Sequence, residues 1–305
     1  MVTYISSAYD GQYPDGVVPV FDDAFPSAVT ECISESSSPN IRSVCNDPYL
    51  IGYITDNELP WNLNTLDTYL TWRQDNPNRV AAEQWMADNK IAELTNDVRQ
   101  RFTAWCMERY FTIVLNEIRK HDQNHMYLGC KFDDWNNVLL NRYAFETAGK
   151  YMDAVSIDFY YRWNIDPVLL RKWEQWSGKP CLITEWYVTG ADSSLANTDC
   201  AGWEVQTQKE RGFYYMSTVC DFVRSGVCVG WHWFRYKDIV SENANRGVFK
   251  ADFSGYDDCL DMMRKTNANV YNLIGCSLKE EEGVSGMWNA PLLDFIADGS
   301  FGLDN

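Results

Sequence analysis

From residue 49 onward, the sequence alternates short apolar runs with longer amphipathic segments. The apolar runs, which predict buried strands, are YLIGYITDNE (49–58), HMYLGCKF (125–132), AVSIDFYY (154–161), CLITEWYV (181–188) and VCVGWHWFRY (227–236). Each run is followed by a segment that predicts a helix, and in the longest, 96–120, apolar residues recur at helical spacing. Continuous apolar strands separated by helices are typical of a parallel sheet that is covered on both faces.

The number of strand–helix units sets the predicted fold. Five units favour a (β/α)8 barrel over a doubly wound sheet, because the sequence has no glycine-rich phosphate loop. VTYISS (2–7) predicts one more strand and DDAFPSAVTECISE (22–35) one more helix, which makes about six units where a closed barrel has eight. We therefore predict an α/β fold of TIM-barrel type, incomplete at its N-terminus, over residues 1–274. An irregular tail is expected over 275–305.

Charge excludes some classes of partner. The 305 residues carry a net charge of −17, which would repel nucleic acid and anionic membranes. No run of 18 apolar residues predicts a transmembrane helix. The N-terminus has neither the basic start nor the apolar core of a signal peptide, so the compartment stays open.

The cysteines and histidines give no prediction of a metal or cofactor. None of the ten cysteines forms a CxxC pair, which argues against zinc-ribbon and thioredoxin-like sites. Cys32 with Cys45, or Cys220 with Cys228, could form a disulfide in an oxidising compartment. HDQNH (121–125) places two histidines four residues apart but lacks a third ligand. We therefore expect no metal and no cofactor.

Two glutamates stand where catalysis is expected in a barrel, at the carboxyl ends of strands. Glu58 follows IGYITDN and Glu185 follows CLIT. A glycosidase needs one carboxyl group that protonates the leaving oxygen and a second that attacks the sugar or activates water. The two residues are therefore candidates for a catalytic pair, with carboxyl groups about 5 Å apart if the enzyme retains configuration. Polar strand caps are the alternative.

Four segments resemble a known group of enzymes. TDNELPW resembles the Asn-Glu signature of clan A glycoside hydrolases, and LITEWY, IDFYYRW (157–163) and VGWHWFRYKD (229–238) are similar to that clan's strands seven, six and eight. Together they are most similar to the family-fifty β-agarases, over roughly residues 17–274. The resemblance implies that Glu58 is the acid/base, that Glu185 is the nucleophile and that Tyr160 contacts Glu185. It is more specific for the clan than for the substrate.

The resemblance and the aromatic content also suggest residues that contact the sugar. These candidates are Asn57, Trp61, Asp158, Trp163, Trp186, His232 and Trp233. Asn57 is suited to hold the 2-hydroxyl of the sugar, and Trp233 matches the floor of the −1 subsite. Asp158 stands where many clan members have asparagine. Core packing is the alternative for each tryptophan, and a packed, hydrogen-bonded ring is the alternative for His232.

The resemblance implies a retaining glycoside hydrolase that cleaves a β-linked galactan such as agarose. The negative charge favours a neutral polysaccharide or oligosaccharide over a sulfated one. A non-catalytic or vestigial carbohydrate-binding barrel, or a β-glycanase of other specificity, is the alternative. The substrate class favours secretion. An open barrel also predicts self-association through its strand edges, unless a segment such as APLLDFIA (290–297) covers them.

Overall fold

The computed structural model describes residues 1–35, 40–163, 165–198 and 200–281. These residues divide into two compact units. The first contains Met1–Asp158 and Trp173–Leu182, and the second contains Phe159–Lys172 and the described residues from Ile183 onward. The chain therefore passes between the units several times.

The first unit contains a sheet of parallel strands. β1 (Val2–Thr3), β2 (Gly52–Thr55) and β3 (Met126–Tyr127) pair in that order, with β2 in the centre. β4 (Val155–Asp158) follows, and a parallel bridge joins its Ile157 to Phe132. All residues of β2 and β4 are buried, as expected for parallel strands that are covered on both faces.

The helices of the first unit follow the predicted pattern. They are α1 (Phe25–Thr30), α2 (Ile41–Val44), α3 (Thr65–Thr71), α4 (Pro77–Asp88), α5 (Asn96–Arg119) and α6 (Arg142–Tyr151). The helix predicted over 96–120 is confirmed by α5, whose N-cap Thr95 accepts a hydrogen bond from the Val98 N–H at 3.3 Å. Its apolar stripe, which includes Phe102 and Tyr110, is buried.

The second unit contains the remaining strands and helices. β5 (Cys181–Glu185) begins in the first unit and ends in the second, and it is followed by β6 (Thr189–Gly190), β7 (Glu204–Val205) and β8 (Cys228–Trp231). α7 (Pro167–Ser177) begins in the second unit and ends in the first, and the helices wholly in the second unit are α8 (Gln208–Ser225), α9 (Asp257–Ala268) and α10 (Val270–Glu281). β6 pairs with β7 in parallel, and the His232 N–H just after β8 donates to the Ile183 carbonyl of β5 at 2.9 Å.

The ends of α8 show why this helix forms where it does. Thr207 accepts from the Glu210 N–H, and the Glu210 carboxylate accepts from the Thr207 N–H, which is a complete capping box. Gly226 ends the helix with φ 70°, in the left-handed region that glycine adopts without strain. Sequence and local geometry therefore agree at both ends.

The structure confirms part of the predicted fold and differs from it in other parts. An α/β fold with parallel strands is confirmed, and strands lie within all six predicted runs. The first is only Val2–Thr3, because a 3-10 helix (Ile5–Tyr9) follows. The predicted irregular tail is wrong for 275–281, since α10 extends to Glu281. Residues 282–305, with the APLLDFIA segment, lie outside the described residues.

Several cysteines are interior thiols. Cys106, Cys130 and Cys259 are completely buried, and burial raises the pKa of each thiol. Cys45, Cys220 and Cys228 also carry thiols, so neither disulfide considered from the sequence is formed.

In the described ranges, no helix combines the length and the apolar character that crossing a membrane requires.

Candidate active site

The segment that carries Glu58 is a strained turn directly after β2. Asp56 and Glu58 have φ values of 62° and 48°, in the left-handed region that residues other than glycine seldom adopt. Such conformations persist only where the surrounding structure holds them, and they cluster at functional sites. Asn57 and Glu58 are both half-buried. The turn therefore presents the two side chains predicted to act on a sugar.

Asp56 holds this turn in place. The side chain is 1% exposed, and its carboxylate accepts hydrogen bonds from the Tyr13 hydroxyl at 2.9 Å and the Tyr110 hydroxyl at 2.8 Å. A third comes from the Ser6 N–H at 2.9 Å. Burial raises the pKa of Asp56, although these hydrogen bonds oppose the effect. No local pattern predicts this network, since Tyr13 lies 43 residues before Asp56.

Asp158 brings a second carboxylate to the Glu58 turn. Carboxylate oxygens of the two residues lie within 4.8 Å of each other. Asp158 is completely buried at the end of β4, and the Lys131 ammonium lies 3.7 Å from its Oδ2. The sequence prediction missed Lys131, although its position at the end of the predicted strand 125–132 was an available signal. The first unit thus assembles Glu58, Asp158 and Lys131.

In the second unit, Tyr160 and Glu185 are directly linked. The Tyr160 hydroxyl donates a hydrogen bond to Oε2 of Glu185, and the Phe159 N–H donates to the Glu185 carbonyl at 2.8 Å. Tyr160 is 6% exposed, and its ring lies against Tyr187 at 5.4 Å between centres. The structure therefore makes the contact between these two residues that the family resemblance implies.

Trp233 lies beside the end of β5. Its indole N–H donates to the Arg246 carbonyl at 2.8 Å, and its ring meets Trp186 edge-on at 4.9 Å. The Arg211 guanidinium lies 5.3 Å from the Trp233 ring centre. Trp233 is half-buried and His232, beside it, is exposed. Trp233 thus has a fixed orientation while part of its ring stays accessible.

The prediction that Trp61 and Trp186 contact the sugar is wrong. Trp61 is 2% exposed and packs against Tyr110, with its indole N–H directed at Cys130 Sγ at 3.4 Å. Trp186 is completely buried, and its ring is stacked on Tyr215 at 5.3 Å. Neither ring presents a face to a sugar, because core packing covers both. Trp61 and Trp186 therefore belong to the hydrophobic interior.

The histidines of HDQNH interact with neighbouring carboxylates. His125 Nδ1 lies 2.6 Å from Asp122 Oδ2, and His121 Nε2 lies 3.4 Å from Glu117 Oε1. Each histidine ring is therefore positioned by a neighbouring carboxylate on α5 or in the turn that follows it.

Comparison with known proteins identifies relatives that are consistent with the arrangement of the site. No protein-family model matches the chain. The chain is 25% identical over 276 residues to β-agarase B of Vibrio sp. (strain JT0107), covering 75% of this chain and 28% of that protein. It is 22% identical over 326 residues to β-agarase A of the same strain, covering 88% and 31%. The chain thus spans less than a third of the length of these curated relatives.

Solved structures extend the likeness to the fold. BpGH50 superposes with a TM-score of 0.79 at 27% identity, over 90% of this chain and 63% of that one. The agarase AgWH50C superposes with a TM-score of 0.72 at 21% identity, over 90% and 44%. A GH5_18 protein from Streptomyces cattleya gives 0.52 at 10% identity, over 82% and 56%.

These similarities indicate the class of protein to which the fold corresponds. The chain has an α/β fold similar to that of glycoside hydrolases with TIM-barrel-type architecture. Within that class it is similar to the family-fifty β-agarases of clan A, so the resemblance predicted from the strand-end motifs is confirmed.

Proposed function

We propose that this chain carries the catalytic chemistry of a retaining glycoside hydrolase that cleaves a neutral β-linked galactan, with agarose the first candidate. Glu185 is the nucleophile and Glu58 the acid/base. The observation that carries the proposal is the hydrogen bond from the Tyr160 hydroxyl to Glu185. This bond holds one carboxyl oxygen of Glu185 and so fixes the orientation of the group that would attack the sugar.

The surroundings of Glu58 suit the complementary role. Carboxylate oxygens of Glu58 and Asp158 lie within 4.8 Å of each other, and the Lys131 ammonium lies 3.7 Å from Asp158 Oδ2. The role proposed for Glu58 requires its carboxyl group to donate a proton to the leaving oxygen. We assign Asn57, in the same turn, to the 2-hydroxyl of the −1 sugar, whose glycosidic oxygen Glu58 protonates. Tyr160 acts by orienting the Glu185 carboxyl group through its hydrogen bond.

The substrate class rests on the relatives and on charge. The curated proteins that the chain matches are β-agarases, and the chain spans under a third of each. A net charge of −17 disfavours a sulfated galactan and leaves a neutral one. The accessible part of the Trp233 ring provides an apolar surface for a pyranose. Another β-linked glycan would use the same two glutamates with different pocket contacts.

Two substitutions test the catalytic assignment. Glu185→Ala should abolish turnover of agarose and of aryl β-galactosides, and added azide should restore turnover as a glycosyl azide of inverted configuration. Glu58→Ala should no longer cleave agarose but should still hydrolyse activated aryl glycosides, whose leaving groups need little protonation. Glu83→Ala, at an exposed ion pair on α4, is the matched control and should behave as wild type. Near wild-type rates on agarose in both glutamate variants would disprove the assignment.

A non-catalytic carbohydrate-binding barrel is the second candidate. It predicts that the purified chain binds agarose but releases no reducing ends. Measuring binding and reducing-sugar release on one preparation distinguishes the two functions.

The proposal includes an open barrel of about six strand–helix units. Strands within the six predicted runs support this number. Unpaired strand edges favour association, so we expect the weight-average mass in sedimentation equilibrium to rise with concentration. A single monomer mass across the concentration range would contradict this part of the proposal.

A further inference from the structure

The second unit contains a cavity along one face of α8, with a volume of about 490 Å³. Small ligands occupy clefts of about this size, which are mostly apolar with a few polar groups at set positions. Val205, Phe213 and Tyr214 provide an apolar floor, and Trp163 forms a wall. The lining residues include neither Glu185 nor the other strand-end residues described above.

Trp163 is exposed yet held in position. Its side chain is 55% exposed, and its ring centre lies 5.7 Å from that of Tyr214. The Tyr214 hydroxyl donates to the carbonyl of Arg162 at 2.8 Å, which ties the backbone before Trp163 to α8. A ring fixed in this way loses little conformational freedom when a ligand covers it. An exposed, pre-oriented indole is a suitable platform for a flat apolar face.

Polar groups surround the mouth of the cavity. Glu204, Gln206, Glu210 and Ser217 line it and are exposed. The Glu210 carboxylate is held by the N–H groups of Gln206 at 2.7 Å and Thr207 at 3.1 Å. Glu204 Oε2 accepts from Asn197 Nδ2 at 2.8 Å. The rim therefore offers two carboxylates held by hydrogen bonds, together with an amide and a hydroxyl group.

We propose that this cavity is a second carbohydrate site, which binds a neutral oligosaccharide without taking part in cleavage. A pyranose has an apolar face that suits the Trp163 ring and hydroxyl groups that suit the polar rim. Two carboxylates at the mouth disfavour an anionic ligand. That the sugar is a galactan rests on the proposed function. A second site on the same chain raises the effective concentration of a long polysaccharide at the protein.

Calorimetric titration tests the site in the full chain. The ligand is a short neutral oligosaccharide from agarose, and the parent protein is the Glu185→Gln variant, in which cleavage is suppressed. We expect two binding sites per chain in this parent. Adding Ser217→Trp, which fills the cavity from α8, should leave one site. Adding Trp163→Ala instead should weaken the second site about tenfold. Tyr49→Ala, at a ring that is 92% exposed, should leave both sites intact.

A single site in the parent that neither cavity substitution weakens, or two sites with unchanged affinities after both substitutions, would overturn the proposal. Trp163→Ala removes an exposed side chain, so its result stands even if Ser217→Trp folds poorly. Failure of the proposed function gives a different result, in which the wild-type chain does not cleave agarose while the titration still shows two sites. If the wild-type protein cleaves agarose and only the site unaffected by the cavity substitutions is found, the second-site proposal is wrong and the proposed function stands.

Discussion

The Arg211 guanidinium lies 5.3 Å from the centre of the Trp233 ring, and the same side chain donates to the carbonyls of Val188 at 2.9 Å and Gly247 at 3.1 Å. Arg211 is completely buried on α8, and burial lowers the pKa of its guanidinium. The planar fork of donors satisfies several loop carbonyls that would otherwise be buried without partners. Trp233 is therefore positioned by a residue that the strand motif does not contain.

Replacing Arg211 by lysine should destabilise the protein. A buried ammonium cannot reach the carbonyls of Val188 and Gly247 together, so we expect the free energy of unfolding to fall by about 2–4 kcal/mol. Loss of the contact with Trp233 should also raise KM for agarose oligosaccharides more than it lowers kcat. Urea unfolding and steady-state kinetics measure the two effects. The control is Arg264→Lys, at an exposed ion pair, which should change stability by less than about 0.5 kcal/mol.

Asp56→Asn should change how stability depends on pH. Burial raises the pKa of Asp56, so the folded protein retains this proton to a higher pH than the unfolded chain, whose value is near 3.8. The contribution of Asp56 to stability is thus complete below about 3.8 and falls as pH rises through the folded-state pKa. Urea unfolding over a pH series should show the stability advantage of wild type over the variant shrinking across that interval. An advantage that grows with pH would contradict the expected sign.

Glu117→Gln should have the opposite pH dependence. Glu117 is 4% exposed; burial opposes ionisation, but hydrogen bonds from Lys120, Ser34 and Thr30 lower its pKa to about 2. The carboxylate therefore stabilises the fold above about 4.5, and this stability is lost as pH falls towards 2. His121 Nε2 also faces it at 3.4 Å. We expect up to about 3 kcal/mol of wild-type advantage near pH 6, decreasing below pH 4.5 in acid unfolding. A constant difference between pH 6 and pH 3 would rule this out.

Trp61→Phe separates packing from sugar binding. Because Trp61 is buried against Tyr110, we expect a loss of about 1–2 kcal/mol of stability with KM unchanged. Trp163→Phe is the matched comparison at an exposed ring and should leave the free energy of unfolding nearly unchanged. Thermal unfolding and agarose kinetics on both variants give the answer. A large rise in KM for Trp61→Phe at wild-type stability would mean that its ring contacts substrate.

Local pattern predicted much of the fold. The periodic apolar residues of 96–120 gave the long helix α5, since a buried stripe at helical spacing specifies a helix with little help from the rest of the chain. The strand-end motifs located Glu58 and Glu185, and the family resemblance gave the contact between Tyr160 and Glu185. These features depend on short segments, which a sequence shows directly.

Features that depend on distant segments could not be predicted in this way. Trp61 and Trp163 each follow a polar stretch at a strand end, yet one is buried and the other exposed, because different helices pack beside them. The hydrogen bond from Tyr13 to Asp56 joins residues that are 43 positions apart, and no local pattern encodes it. Lys131 faces Asp158 for the same reason.

The interior thiols provide a way to observe motion in each unit separately. Cys106 and Cys130 lie in the first unit and Cys259 in the second, all with zero exposure and raised pKa values. An alkylating reagent reacts with the thiolate, so each position is modified only when its surroundings open to solvent. Mass-spectrometric rates of alkylation at these three sites would therefore report the opening equilibria of the two units in one experiment, without any introduced label.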